Sequence, residues 1–230
     1  MLLSLTSRFC GNVYIIDCKG RIVTGDEAKS LQAALDHGAR EFSRIVLTLS
    51  DIERLDSTGL GLLVLYAARM RKLGGDVRLA APPKFVVDLI HLTRLSTILP
   101  IYETEEEAIL SYLMQRSPDA AEEKSGHRVL VLEKSADVCA FVTTVLGQHG
   151  FDVKSTSFVS DARILLRVHA VDYILVGPGT TQLPSQAIIE TLKASAPKAA
   201  ALQLDDTFRS LDADHATQVL LKMFEAGSPS

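Results

Sequence analysis

The chain's pattern predicts an α/β fold in two domains, and three observations carry that prediction. Strand-like apolar segments alternate with amphipathic helix patterns, the alternation stops at a charged stretch containing Pro and Gly, and then it begins again. Such βαβα order calls for a largely parallel sheet between helix layers. The 230 residues, 47% hydrophobic and 23% charged, suffice for two cores of roughly 110 residues each.

In the first half, "NVYIIDC" and "RIVTGD" read as two strands and "SRIVLTLSDI" as a third, whose unbroken apolar centre suits an interior position. "DVRLAA" makes a fourth. A helix from Asp26 to about Gly38 carries Ala28, Leu31, Ala34 and Leu35 on one side, and another from Pro83 to Leu92 carries Phe85, Val86, Leu89 and Ile90. Pro82 and Pro83 suit its start. A helix from about Glu105 to Met114 sets Ala108, Ile109, Tyr112 and Leu113 on one side, with three glutamates in its favourable first turn. The boundary falls in "QRSPDAAEEKSGH", which gives a first domain at 1–114, a linker at 115–126, a second domain at 127–226 and a tail at 227–230. Beyond it, "HRVLVLEKSAD" is a strand and turn, and a helix using Val138, Phe141, Val142, Val145 and Leu146 ends between Gly147 and Gly150. Then come the strand "FDVKST", a helix from Asp161 to Val168, the strand "DYILVGPGT", a helix from Ser185 to Ala194, the strand "KAAALQL" and a last helix pattern, "HATQVLLKMF".

Composition narrows the function classes. A net charge of −4 and a pI near 5.9 supply no basic field for phosphate backbones, so nucleic acid is not an expected partner. No apolar run approaches the roughly 20 residues of a membrane-spanning helix. The start "MLLSLTSRFCGN" places its apolar stretch ahead of Arg8, the wrong order for a signal peptide. The expectation is a soluble, cytoplasmic protein with no membrane contact. Cys10, Cys18 and Cys139 match no zinc spacing and read as small buried hydrophobes. The six histidines form no HExxH pattern, so neither a metal nor a cofactor is expected.

The stretch "SDIERLDSTGLGLLVLYAARMRKLGG" places Asp56, Ser57 and Thr58 between an apolar strand and a long helix. Two readings of Ser57 stand side by side. It can be the N-cap of the helix, although Leu60 stands where a capping box needs Glu or Gln. It can also carry a phosphate, since the positive helix end tolerates added negative charge and Gly59 and Gly61 leave the backbone open. Leu60, Leu62, Leu63, Val64 and Leu65 make the first turns apolar almost all round, so part of that surface must meet either a neighbouring segment or another protein.

Taken together, "GRIVTGDEAKSLQAAL" and the run from "RIVLTLSDIERLDSTGLGLL" to "ETEEEAI" resemble a STAS domain of the anti-sigma factor antagonist type, over about Val13 to Leu113. The resemblance implies a mixed sheet backed by helices and a non-catalytic binding module. It implies that Ser57 is phosphorylated by a GHKL-type serine kinase that is also the anti-sigma factor, and dephosphorylated by a PP2C-type phosphatase. It places partner binding at Asp56, Ser57, Thr58, Gly59, Leu60 and Leu62. Thr48 departs from the Asp that such domains often carry there.

Residues 127–226 are similar to a degenerate, shortened response-regulator receiver, a flavodoxin-like parallel α/β domain, through "RVLVLEKSADV", "LGQHGFDV" and "VDYILVGPG". A receiver holds magnesium with an acidic pair after its first strand and takes phosphate on an Asp ending its third. Here Glu133 is followed by Lys134, and Gly177 stands in the acceptor's place. The resemblance therefore implies contacts without aspartyl-phosphate chemistry; Asp172 precedes this strand and Asp205 follows the next, so a displaced alignment would make one of them the acceptor.

Enzyme motifs fail on the same residues. Ser57 lies in Leu-Asp-Ser-Thr-Gly and not in a Gly-x-Ser-x-Gly elbow. "DSTG" breaks the aspartic protease triplet and has no second copy, and "GPGTTQ" lacks the Lys of a phosphate loop. The expected function is an anti-sigma factor antagonist that sequesters its kinase and so regulates sigma-factor-dependent transcription. Two alternatives are a scaffold subunit of a stress-signalling assembly and a transport-associated STAS subunit; whether the chain forms a homo-oligomer is left open.

Overall fold

The interior strand of the first unit is the frame on which the Ser57 loop is hung. It is β3, Arg44–Leu55, whose residues Ile45 to Leu49 are all buried. The computed structural model describes residues 2–115, 126–178 and 185–227. Its contacts divide into two compact units, Met1–Gln115 and Arg116–Ser230.

Unit 1 runs β1 (Ser4–Cys10), β2 (Val13–Ile22), α1 (Asp26–Glu41), β3, α2 (Ser57–Lys72), β4 (Asp76–Ala80), α3 (Lys84–Leu92), β5 (Ile101–Tyr102) and α4 (Glu105–Leu113). The strand order is β5-β4-β3-β2-β1. β1 and β2 are antiparallel and the other pairs parallel, so the sheet is mixed. Three features differ from the sequence reading, the first being the two-residue edge strand β5, which was not expected. β1 was not expected; it is a hairpin partner of β2, closed by Gly11 and Asn12 with Gly11 at φ +58°. The two strands expected from "NVYIIDC" and "RIVTGD" are one, because Lys19 and Gly20 form an irregularity that β2 absorbs, with Gly20 at φ +100°, and do not end the strand.

Alternation assigns the faces. Tyr14, Ile16, Ile45, Leu47, Val77 and Leu79 pack with Leu31 and Leu35 of α1, Leu63, Ala67 and Met70 of α2, and Val86 and Ile90 of α3. The opposite face carries Ile15, Val46, Thr48 and Arg78, and α4 covers it. The Thr48 hydroxyl donates to Glu105, which also takes a guanidinium hydrogen bond from Arg8. Arg78 is only 4% exposed, and its guanidinium carbon lies 3.4 Å from the centroid of the Tyr112 ring. It donates to Ser111 and, over 2.9 Å, to Gln115.

Unit 2 runs β6 (Arg128–Leu132), α5 (Ala136–Gln148), β7 (Asp152–Thr156), α6 (Val159–Val168), β8 (Tyr173–Val176), α7 (Ser185–Ser195), β9 (Ala200–Gln203) and α8 (Ala213–Ala226). All its strand pairs are parallel, in the order β7-β6-β8-β9. Val129, Val131, Tyr173 and Leu175 face α5 and α8, where Val142, Leu146, Leu220 and Phe224 complete one core. Leu130, Leu132, Ile174 and Val176 are buried on the other face, as are Leu165 of α6 and Leu192 of α7. A 3-10 turn at Asp206–Ser210 leads from β9 toward α8, so no fifth strand intervenes. Most of the expected linker, and "GPGTTQ" beyond Pro178, lie outside the described residues.

Candidate functional site

β3 ends at Leu55, and the chain turns into α2 at Asp56. Asp56, and not Ser57, is the N-cap: it is extended at φ −97° and ψ 179°, and its Oδ1 accepts from the Gly59 N–H at 2.9 Å. The capping expectation is thus corrected by one residue, which places Ser57 in the first helical position. Asp56 Oδ2 accepts twice from Thr24 in the β2–α1 loop, from its N–H at 2.8 Å and its hydroxyl at 3.0 Å. Thr24 Oγ1 also lies 2.6 Å from Thr58 Oγ1. Hydrogen bonds from the Gly59 and Thr24 backbone, in that order, hold the Asp56 carboxyl below its ordinary range, so it is an anion at neutral pH. Ser57 is exposed, and no described residue hydrogen-bonds its hydroxyl.

The other expected contact residues divide. Thr58 is exposed and Gly59 is buried. Leu60 and Leu62 are half-buried and pack on the core, so the apolar first turns are satisfied mainly from within. The residue the sequence reading did not single out is Leu65, 60% exposed. Ser57, Gly61, Leu65 and Ala68 are all exposed at helical spacing, one strip running along α2 away from Ser57. An i, i+4 count from Ser57 would have found it.

Gly59 is present because of its packing. A Cβ there would sit 2.6 Å from Ile22 Cγ2, 2.7 Å from the Ile22 carbonyl oxygen and 2.8 Å from Leu55 Cδ1. At Gly61 a Cβ would meet nothing within 4 Å. Gly59→Ala is therefore expected to destabilise unit 1 by about 1–3 kcal/mol, while Gly61→Ala should raise stability by up to about 1 kcal/mol. Urea unfolding of the two variants checks this, and equal midpoints would show that the close approach at Gly59 carries no cost.

In unit 2, Glu133 follows β6 and is 1% exposed. Its Oε1 accepts from the Ser135 N–H at 2.6 Å and from Arg209 at 3.2 Å, and the same Arg209 nitrogen donates to the Pro178 carbonyl. Gly177 packs against this carboxylate: a Cβ there would lie 1.8 Å from Glu133 Oε2. Asp172 lies at the opposite end of β8, taking the Arg128 N–H at 2.7 Å, and Asp205 caps the 3-10 turn through the Phe208 N–H at 3.1 Å. The structure therefore brings neither aspartate into Gly177's place.

With this geometry in place, comparison with known proteins is informative for the first unit. The STAS domain family matches residues 5–108. A Thermotoga neapolitana protein named as an anti-sigma factor antagonist is 35% identical over 68 residues, which are 30% of this chain and 60% of that relative. The chain thus spans about three fifths of that protein's length. A Bordetella bronchiseptica protein named in the same way is 26% identical over 102 residues, 43% of this chain and 85% of it. Among solved structures, an anti-sigma factor antagonist of Thermotoga maritima is 26% identical, covering 46% of this chain and 92% of that one, with a TM-score of 0.42.

The N-terminal unit thus has a STAS fold, and the matched region includes Asp56 to Leu62. Thr48 follows from its surroundings: an Asp in its place would face the Glu105 carboxylate that the threonine hydroxyl now satisfies. The three cysteines are buried and free, as their sequence context suggested, and burial raises the Cys18 thiol far above its usual range. No group of three or more His, Cys, Asp or Glu among the described residues could hold a metal ion, and no described helix is long and apolar enough to cross a membrane.

Proposed function

We propose that the chain is an anti-sigma factor antagonist whose contact with its partner is set by phosphate on Ser57. The observation that supports this most is the first turn of α2: an exposed Ser57 hydroxyl beside an ionised Asp56, at the start of an exposed strip that ends in Ala68. The names of the Thermotoga and Bordetella relatives point the same way. In the unmodified state the strip docks on a cytosolic serine kinase of the GHKL type, which is also the anti-sigma factor, and frees its sigma factor. Phosphate adds −1.5 to −2 charges beside Asp56, and burying that group against a surface without matching cations costs more than an ordinary contact contributes. A PP2C-type phosphatase resets the switch. Unit 2 is a receiver-like contact module: its strands follow the first four places of the flavodoxin-like order, and Gly177 offers no acceptor.

The full chain, affinity-tagged in its own host cells, tests the acceptor. The tryptic peptide Leu55–Arg69 contains both hydroxyl residues of the turn, and its fragmentation spectrum should place the phosphate on Ser57. Modification that survives Ser57→Ala would refute the assignment.

A further inference from the structure

We propose that Thr24 selects the phosphate acceptor, engaging the Thr58 hydroxyl so that Ser57 alone presents a free nucleophile. The inference rests on the reading of this turn as a phosphorylation site. It begins from a chemical ambiguity: Ser57 and Thr58 are adjacent, both are exposed, and a kinase that accepts one hydroxyl faces another within a residue of it.

Counting protons resolves the ambiguity. Asp56 is an anion, so its Oδ2 can only accept. The Thr24 hydroxyl has one proton, and over 3.0 Å it goes to Asp56 Oδ2. In the 2.6 Å contact between the two threonines, Thr24 is therefore the acceptor and Thr58 the donor. The single proton of Thr58 is committed to Thr24, which is itself anchored by its backbone N–H at 2.8 Å from the same carboxylate oxygen. For transfer, a hydroxyl oxygen forms a bond to the γ-phosphorus of kinase-bound ATP while the bond from that phosphorus to the β,γ-bridging oxygen breaks. ADP leaves, and the hydroxyl proton passes to a base on the kinase. Ser57 can do this without breaking a bond to any described residue. Thr58 must first break its bond to Thr24, which also leaves the Thr24 oxygen without that donor. Burial does not distinguish the two hydroxyls, so Thr24 is the residue that does.

Thr24→Val removes the hydroxyl and keeps the shape and the backbone anchor; Thr24→Ser keeps the hydroxyl. The tagged full chain is expressed in its host cells as wild type, Ser57→Ala, Thr24→Val, Thr24→Ser, and the Thr24→Val/Ser57→Ala double variant. Thermal melting verifies that each is folded, and Leu55–Arg69 is sequenced by mass spectrometry. The expected result is phosphate on Ser57 in the wild type and in Thr24→Ser. In Thr24→Val the share on Thr58 should rise at least about fivefold, and in the double variant Thr58 should be modified where Ser57→Ala alone is not. If the wild type is modified on Ser57 and the folded double variant stays unmodified, Thr24 selects nothing and the acceptor reading stands. A wild type without phosphate on either residue overturns both.

Discussion

Ser57→Asp is expected to bind the anti-sigma factor partner at least about tenfold more weakly than wild type, a difference of roughly 1.4 kcal/mol, while Ser57→Ala binds as before. The reasoning separates folding from binding. Ser57 occupies the first helical position, where the free N–H groups of α2 favour negative charge, so the fold tolerates the change. Asp56 beside it is already ionised and fully engaged with Gly59 and Thr24, so the new carboxylate has no role inside the domain and presents its charge to whatever docks there. The alanine variant loses only a hydroxyl that no described residue uses. Calorimetric titration of the purified full chain against the proposed anti-sigma factor kinase is the measurement. Equal affinities for the two variants would remove the switch and leave Ser57 an ordinary surface residue.

The other large effect is expected at Gly177. Gly177→Asp, which on the proposed receiver-like reading supplies a phosphate acceptor, should instead cost about 3 kcal/mol or more of unit 2 stability. Its Cβ would sit 1.8 Å from Glu133 Oε2 and 2.7 Å from the carboxyl carbon, and Glu133 is too enclosed to move aside. A second carboxylate would also share Arg209, which now faces Glu133. Urea unfolding reads the loss. In the wild type, beryllium fluoride with magnesium, or acetyl phosphate, should leave the amide shifts of residues 127–178 and 185–227 unchanged. A stable Gly177→Asp protein that responds to beryllium fluoride would show that the position lacked only its acid. Shifts centred on Asp172 or Asp205 in the wild type would reveal a working acceptor elsewhere.

Much of this was legible in the sequence wherever a pattern of side chains decides the outcome. β3, α2 and the turn between them follow from an apolar run, a capping residue and a glycine pair. β1 was not legible, because Ser7 falls where the alternation of Leu3, Leu5 and Phe9 needs an apolar residue, and only pairing with β2 makes the segment a strand. Lys19 and Gly20 suggested a break because local propensity says nothing of the β3 partner that carries β2 through it. At the turn, the sequence placed Asp56 to Thr58 between strand and helix but could not say which member capped the helix. That choice depends on Thr24, 32 residues away in the chain. Nor could it separate Leu60 and Leu62, which lean on the core, from Leu65, which does not, since all three belong to one continuous apolar run.

The stacking of Arg78 on Tyr112 decides where the STAS unit can be cut. Arg78 enters from β4, but its neighbours Ser111, Tyr112 and Gln115 all come from α4 or just beyond it. An excised fragment ending before α4 would keep the whole sheet and the entire Ser57 turn, yet it would strip the cover and the hydrogen-bond acceptors from a guanidinium that is 4% exposed in the intact unit. Cutting after Gln115 retains every one of those partners. The edge of an N-terminal fragment is thus drawn by α4, which holds Arg78 and also brings Glu105 to Thr48 and Arg8, and not by the last strand.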